Sequence, residues 1–322
     1  MNIFEKLEMK KENILILGGF GFIGTNIIKY IDNHFIDKYN VIVFDKSSYH
    51  PYGLTFKSIL KIYDGDFSDE LNIERVFVEN DIDIVLHLLS STVPATSKNA
   101  KFDVQSNLIP TLNLLSIMDY HKVSNIIYFS SGGAIYGEHE KIHSETDQVF
   151  PKSSYAIVKY TIERYLLLYA ELFQFNSLIL RLSNPFGPYH YNAHQGICNI
   201  AIRKALINET VQIWGEGNGK KDYIYIEDVC KILFKLIEVR VLTDVINIGS
   251  GDLHSVNEII DQLNDIIQDV KTEYVNKSIN DVNEFSLDIT KLKNYIGDYR
   301  FTEFKMALNK TIIWAKSVSS NN

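Results

Sequence analysis

The stretch from Asn13 to Gly24 reads NILILGGFGFIG and decides the fold. Its first five residues form a short apolar run, which is typical of a buried parallel strand. Gly18, Gly21 and Gly24 follow, and a helical pattern then extends to Asp32. A strand, a glycine loop and a helix in this order predict a dinucleotide-binding turn, because glycines let the backbone approach a pyrophosphate at the helix N-terminus.

The second predicted strand supports this interpretation. The apolar run from Val41 to Phe44 is followed by Asp45, 21 residues after Gly24. An acid at the end of the second strand accepts hydrogen bonds from the adenosine ribose and repels a 2′-phosphate. The sequence therefore predicts NAD rather than NADP as the cofactor. Lys46, which follows directly, is the one feature that weakens this preference.

Apolar strands alternate with helical patterns through much of the chain. Buried-strand runs occur at residues 82–89, 125–131 and 177–182, with helical patterns at 103–121 and 155–173 between them. This alternation predicts an α/β fold with a Rossmann-like doubly wound parallel sheet. Ligands of such sheets bind outside the carboxyl ends of the strands.

The pattern changes after the strand at 177–182, and the tail from Ser255 is predicted to be rich in helices and without buried strands. We therefore expect a smaller, discontinuous substrate-binding domain beside the NAD-binding domain. The expected boundaries are 12–182 plus 222–253 for the NAD-binding Rossmann domain, and 183–221 plus 254–322 for the substrate-binding domain.

Composition argues against several classes of protein. The net charge of −8 argues against a broad nucleic-acid surface. No apolar run approaches the roughly 20 residues of a membrane span, and the N-terminus lacks the apolar core of a signal peptide. Cys198 and Cys230 lack metal-ligand spacing and the nine histidines are scattered, so we predict no metal site. This cysteine usage fits a reducing cytoplasm.

A candidate catalytic pair, Tyr155 and Lys159, lies at i and i+4 in a helical pattern, so both side chains project from one face. A free tyrosine has a pKa near 10 and is a poor base at neutral pH. An ammonium a few ångströms away lowers that pKa, which would let the tyrosine exchange a proton in catalysis. Taken alone, the spacing favours a simpler interpretation, an amphipathic helix with a half-buried tyrosine and a solvated lysine.

Together, these motifs resemble the extended short-chain dehydrogenase/reductase superfamily over nearly the whole chain. The matching features are the glycine loop, Asp45, SSxxxxYG at 130–137, YxxxK at 155–159, NPFGP at 184–188, GEG at 215–217, DYI at 222–224 and NIGSG at 247–251. Within the superfamily, the chain is most similar to nucleotide-sugar epimerases, in particular UDP-glucose/galactose 4-epimerases and their relatives in surface-polysaccharide pathways.

The resemblance implies a role for each matched position. Tyr155 is the expected acid/base, Lys159 holds the nicotinamide ribose, and Ser131 hydrogen-bonds the sugar hydroxyl, with Ser130 as the alternative. The expected cofactor contacts are Gly18, Gly21, Phe22, Ile23, Gly24, Asp45, Asp66 near the adenine, Phe67, Leu88 and Lys159. The expected substrate contacts are Ser131, Asn184 at the diphosphate, Trp214 at the uracil, Lys221 in place of the family's arginine, and Asp281 at the nucleotide ribose.

The segment after Ser131 separates the reactions of the superfamily. Its dehydratases and decarboxylases carry an acid one or two places before the position of Ile135, where this chain has Ala134 and Gly133. We therefore predict an NAD-dependent 4-epimerase of a nucleotide-diphosphate hexose, which oxidises the sugar to a 4-keto form and reduces it again. The alternatives are a nucleotide-sugar reductase or dehydrogenase of the same fold, and a non-catalytic NAD-binding regulator.

Two further expectations concern the sugar and the assembly. Phe285 falls near the family's sugar-pocket gate, where its bulk would favour a hexose over an N-acetylhexosamine. The helices before residue 121 and after residue 155 commonly form a four-helix dimer interface in this superfamily, so we expect a homodimer.

Overall fold

The computed structural model describes residues 10–93, 96–137, 142–192, 195–276 and 284–319. Its strands are β1 (Glu12–Leu17), β2 (Tyr39–Asp45), β3 (Ile59–Asp64), β4 (Ile84–His87), β5 (Asn125–Ser131), β6 (Ile142–His143), β7 (Asn176–Leu182), β8 (Asn184–Phe186), β9 (Val211–Trp214), β10 (Lys220–Tyr225), β11 (Asp244–Ile248), β12 (Leu253–Ser255), β13 (Thr272–Val275) and β14 (Glu284–Leu287). Its α-helices are α1 (Phe22–His34), α2 (Glu70–Glu79), α3 (Ala100–Asp103), α4 (Ile109–Tyr120), α5 (Gly132–Ile135), α6 (Ser154–Phe173), α7 (Ile197–Leu206), α8 (Ile226–Glu238), α9 (Val256–Ile267), α10 (Thr290–Ile296) and α11 (Phe304–Ser319).

A parallel sheet of seven strands, in the order β11-β7-β5-β4-β1-β2-β3, forms the centre of the molecule. Alternate residues of β1 enter separate cores on the two faces of the sheet, with Ile14 and Ile16 on one and Leu15 and Leu17 on the other. Side chains of α1 and α8 fill the first core, and those of α2, α4 and α6 fill the second. Since both faces are covered, β1 is apolar throughout its buried length. The predicted Rossmann-like doubly wound sheet is confirmed.

The strand order reverses at β1, because β2 lies on one side of it and β4 on the other. Such a switch point leaves a crevice at the carboxyl ends of the strands, where ligands bind in doubly wound sheets. Residues after β1, β2, β4 and β5 therefore meet at one edge of the sheet. This edge carries the glycine loop, Asp45, Leu88 and Ser131.

A second sheet has the order β12-β10-β14-β6, and β8 also pairs with β10. The expectation that the tail lacks buried strands is wrong for β14, in which Phe285 and Leu287 are buried. Four alternating residues are too short a run to distinguish from a loop by periodicity. The division into two domains at the stated boundaries stays a prediction.

The helical pattern predicted at 103–121 is interrupted in the structure. A π-helical turn, Val104–Leu108, joins α3 to α4. Pro110 has no N–H to donate to the carbonyl of Ser106, which instead accepts the hydroxyl of Ser91 at 3.3 Å. A π turn is a common local distortion at functional sites. Of the helices that the structure describes, none has the length and apolar character needed to cross a membrane.

Candidate active site

The glycine loop connects β1 to α1, and its backbone lies very close to the first turn of that helix. Gly18 has φ of +82°, which side chains rarely adopt. A Cβ on Gly24 would lie 2.5 Å from the carbonyl oxygen of Gly18 and 2.6 Å from Cα of Gly19. Helix α1 begins after Gly21 without a side-chain cap and without an acid in its first turn. Its first N–H groups and the positive end of its dipole therefore suit a phosphate.

Asp45 lies at the end of β2, directly beside this loop. One carboxylate oxygen accepts the backbone N–H of Phe20 at 2.9 Å, and the other accepts the N–H of Lys46 at 2.8 Å. These two bonds fix a partly exposed carboxylate where the second strand of a dinucleotide fold meets the adenosine ribose. The geometry fits NAD. The glycine loop leaves room for a pyrophosphate, the uncapped N-terminus of α1 can bind it, and the Asp45 carboxylate beside them can accept the ribose hydroxyls.

The other predicted cofactor residues also lie at this edge of the sheet. Asp66, just beyond β3, is exposed, and Oδ1 accepts both the N–H and the hydroxyl of Ser68, at 2.9 and 2.7 Å. These bonds lower the pKa of the Asp66 carboxyl. Phe67 is buried against the ring of His87, and Leu88 donates its N–H to the carbonyl at the end of β1.

Ser131 ends β5, and Tyr155 lies in the first turn of α6; their side chains are hydrogen-bonded to each other. The hydroxyl of Ser130 instead donates to the buried carboxylate of Glu163. The two adjacent hydroxyls therefore have different partners on α6. Of the two serines left open by the sequence, the structure brings Ser131 to Tyr155.

Lys159 lies one helical turn beyond Tyr155 and is almost fully buried. Its ammonium donates to the carbonyl of Phe129 at 2.9 Å and lies 4.7 Å from the ring centre of Tyr128. Burial lowers the pKa of Lys159 to about 8, and the carboxylate of Glu163 opposes this shift. The sequence alternative of a solvated lysine is therefore wrong.

Burial raises the pKa of Tyr155 to about 12, and the hydrogen bond with Ser131 offsets only part of this shift. The direction is opposite to the prediction that Lys159 lowers it. The ammonium is hydrogen-bonded to the carbonyl of Phe129, and a buried phenolate lacks the solvation that stabilises it in water. With these protein contacts alone, Tyr155 keeps its proton at neutral pH, and positive charge brought into the site would lower its pKa.

A pocket lies beside the tyrosine and the lysine. Its lining residues are Leu89, Ser90, Thr92, Asn107, Tyr128, Tyr155, Val158, Lys159 and Ile162. Three of these side chains are apolar and six carry a polar group, so the pocket places hydrogen-bonding groups beside Tyr155 and Lys159. Thr92 and Asn107 were not predicted. Asn107 lies in the π-helical turn, an interruption that the sequence pattern did not reveal.

Two of the predicted substrate residues, Asn184 and Lys221, lie in the second sheet. Asn184 begins β8 and donates to the carbonyl of Asp222 at 2.8 Å, and Lys221 lies in the neighbouring β10. Trp214 ends β9 with 54% of its surface exposed. Asp281 lies outside the residues that the structure describes. Their roles toward a substrate stay predictions.

A doubly wound sheet with this glycine loop and with Tyr155, Lys159 and Ser131 at its carboxyl edge defines an enzyme of the extended short-chain dehydrogenase/reductase class. Residues 14–249 match the family model described as the NAD dependent epimerase/dehydratase family. The chain belongs to this family. Its cofactor is NAD, which supplies a hydride acceptor and donor when bound.

Individual relatives agree with this assignment. A putative UDP-glucose 4-epimerase of Methanocaldococcus jannaschii is 30% identical over 94% of this chain and 98% of its own. A dTDP-4-dehydro-6-deoxyglucose reductase of Escherichia coli is 28% identical over 80% and 82% of the two chains. The crystal structure of a UDP-glucose 4-epimerase from Thermotoga maritima, with UDP-glucose, superimposes with a TM-score of 0.88 at 31% identity, covering 95% and 99% of the two chains.

Replacing Asp45 by alanine is expected to weaken NAD binding and to relax discrimination against NADP. The variant loses both the ribose acceptor and the charge that repels a 2′-phosphate. Calorimetric titration with NAD and with NADP, after removal of bound nucleotide, measures both affinities. Asp45→Asn is the matched control, since it removes the charge but keeps one oxygen that can accept the N–H of Phe20. An unchanged ratio of the two affinities in Asp45→Ala would show that Asp45 is not the ribose acceptor.

Proposed function

We propose that this protein is an NAD-dependent 4-epimerase of a nucleotide-diphosphate hexose of the UDP-glucose/UDP-galactose type. The observation that carries the proposal is the contact between Tyr155 and Ser131, next to a Gly132-Gly133-Ala134 segment without acidic groups. Two hydroxyls at this place suit proton transfer at a sugar hydroxyl. Elimination of water or CO2 would need a further acid or base at positions 133–134.

The proposed reaction needs one proton-transferring side chain. Tyr155 reacts as the phenolate, which positive charge in the loaded site favours. It accepts the proton of the C4 hydroxyl while C4 gives up a hydride to the bound hydride acceptor. The 4-keto sugar then turns its other face, the hydride returns to C4, and Tyr155 gives the proton back to the oxygen. Protons and electrons balance over the cycle, which regenerates NAD and requires no second substrate.

The glycine segment packs against β14 of the second sheet. A Cβ on Gly133 would lie 3.7 Å from the ring of Phe285, and one on Gly132 would lie 2.9 Å from Leu287. Phe285 is itself buried, and its ring lies against the segment that follows Ser131. This packing supports a hexose as substrate in preference to a bulkier N-acetylhexosamine.

Incubation of the purified protein with UDP-glucose, UDP-galactose and their N-acetyl forms, without added NAD, tests the proposal. We expect interconversion of the two hexoses, detected by proton NMR, and slower reaction of the N-acetyl forms.

The similarity to the E. coli reductase supports a reductase or dehydrogenase as the second candidate. A reductase or dehydrogenase would require added NAD(H) or NADP(H). It would form or consume one NADH or NADPH for each product molecule, which the absorbance of the reduced nucleotide measures. Such stoichiometric change without interconversion would replace the epimerase assignment.

We also propose that two copies associate through α4 and α6, which pack side by side. On α6, Ile157, Leu168 and Leu172 are 51%, 42% and 60% exposed. On α4, Ile109 and Tyr120 are exposed on one face. Two adjacent apolar rows suit a four-helix contact with a second copy.

Replacing Leu168 and Leu172 together by glutamate is expected to convert this dimer into a monomer. Four added carboxylates would then face one another in the helix contact, which is unfavourable. Light scattering coupled to size-exclusion chromatography measures the mass. Ile313→Glu, at an equally exposed apolar position on α11, is the control and is expected to remain dimeric. A wild-type protein that is monomeric at micromolar concentration would contradict the proposal.

The physiological setting is part of the same proposal. We place the enzyme in the cytoplasm, supplying sugars for surface polysaccharides. Cys198 and Cys230 are both buried and free, which is compatible with a reducing compartment.

A further inference from the structure

Glu163 continues the face of α6 that carries Tyr155 and Lys159, since the three residues are spaced four apart. Only 1% of its surface is exposed. Arg181 of β7 lies against both of its oxygens, with Nε at 3.2 Å from each and Nη2 at 2.7 Å from Oε2. Oε1 also accepts the hydroxyl of Ser130. This buried carboxylate is therefore charged, paired and fixed in orientation.

The pair is part of a longer buried network. Nη1 of Arg181 donates to the hydroxyl of Tyr136 at 2.8 Å, and that hydroxyl donates to Oδ1 of Asn247 at 2.8 Å. The amide of Asn247 donates in turn to the carbonyls of His143 and Asp288. The network thus connects the main sheet with β6 and with the end of β14. A buried polar network whose members have partners holds its elements in one arrangement.

The ammonium of Lys159 lies one helical turn before Glu163 on α6. The groups that face it are the carbonyl of Phe129 and the ring of Tyr128 from β5, His87 from β4, and Tyr155 and Glu163 from α6. Burial lowers the pKa of His87 to about 3 and raises the pKa values of Tyr128 and Tyr155. At neutral pH, Glu163 is therefore the one charged group that faces Lys159 in the described part of the chain.

We propose that Glu163, held by Arg181, is a positioning residue that fixes the end of β5 through Ser130 and balances the charge of the buried ammonium of Lys159. Ser130 directly precedes Ser131. Holding the hydroxyl of Ser130 on Glu163 therefore fixes the last residues of β5, from which the hydroxyl of Ser131 reaches Tyr155. The inference deepens the proposed function and rests on it for the turnover measurement described below.

The charge effect has a definite sign. Burial lowers the pKa of Lys159, and the carboxylate of Glu163 raises it. Removing the carboxylate therefore lowers the pKa of the ammonium further, so that Lys159 loses its proton at a lower pH. An activity that needs the charged lysine would decline earlier on the alkaline side.

The test uses the full-length protein labelled with 13C at the lysine Cε, with the Lys159 signal assigned by its loss in Lys159→Met. In Glu163→Gln we expect the titration midpoint of Lys159 to fall by about one pH unit. The alkaline limb of the turnover profile should move with it. Glu163→Asp keeps the charge and is expected to keep a midpoint near that of the wild type. Ser130→Ala also keeps the charge and is expected to reduce turnover by roughly tenfold without moving the midpoint.

Glu163→Gln leaves Arg181 buried without its partner and can prevent folding. The double variant Glu163→Gln/Arg181→Gln removes both charges and is measured in the same way. An unchanged midpoint in a folded variant overturns the proposal, and so does loss of folding in both, since the pair would then be purely structural. The NMR midpoint needs no substrate. A shifted midpoint in a protein that epimerises nothing therefore supports this inference and rejects the proposed function.

Discussion

Replacing Tyr155 by phenylalanine is expected to lower turnover of the nucleotide sugar by about 10²–10⁴-fold, which is the usual contribution of a general acid/base. The change removes one hydroxyl, the one hydrogen-bonded to Ser131, and keeps the ring that lines the pocket beside Lys159. NAD should remain bound, because the glycine loop and Asp45 are untouched. Steady-state turnover, together with the nucleotide released from denatured protein, measures both quantities.

Two variants sharpen this result. Tyr160→Phe removes a hydroxyl from the same helix, outside the residues that line the pocket, and is expected to keep full turnover. Ser131→Ala removes the hydrogen bond that lowers the pKa of Tyr155, so that pKa rises further and the acidic limb of the activity profile moves to higher pH. Wild-type turnover in Tyr155→Phe would show that another group transfers the proton.

Features of the NAD-binding half could be predicted because their signals are local. The bounds of β5, 125–131, are those expected from its apolar run. The helix carrying Tyr155 begins after Ser153, whose hydroxyl accepts the N–H of Ala156, and it ends at Phe173 as predicted. The rules for connecting alternating strands and helices allow only a few topologies, so the doubly wound sheet could be predicted from the order of the elements.

The pKa shifts, the choice of serine and the buried ion pair depend on tertiary contacts, which cannot be derived from the spacing of residues in the sequence. A separation of four residues places Tyr155 and Lys159 on one helix face, but the direction of their pKa shifts depends on burial beneath β4 and β5. The choice of Ser131 over Ser130 needed the register of β5 against α6. The packing of α6 on β7 brings Glu163 and Arg181, 18 residues apart in sequence, into one ion pair.

Gly24→Ala is expected to abolish tight NAD binding and to lower the thermal stability of the protein. The added Cβ would lie 2.5 Å from the carbonyl oxygen of Gly18 and 2.6 Å from both Cα and the carbonyl oxygen of Gly19. All three atoms belong to the backbone, so a change of side-chain rotamer cannot relieve the clash. The first turn of α1 must move away from the loop, which separates its N–H groups from a pyrophosphate. Overpacking of this kind costs about 1–3 kcal/mol of folding free energy.

Gly133→Ala is the matched control for this change. Its Cβ would lie 3.7 Å from its nearest neighbour, the ring of Phe285, which is ordinary van der Waals contact. We expect this variant to keep the NAD affinity and the melting temperature of the wild type, measured by calorimetric titration and thermal denaturation. Equal NAD affinities in the two variants would contradict the close approach of loop and helix as the basis of cofactor binding. A loss confined to Gly24→Ala would assign the dinucleotide to the end of α1.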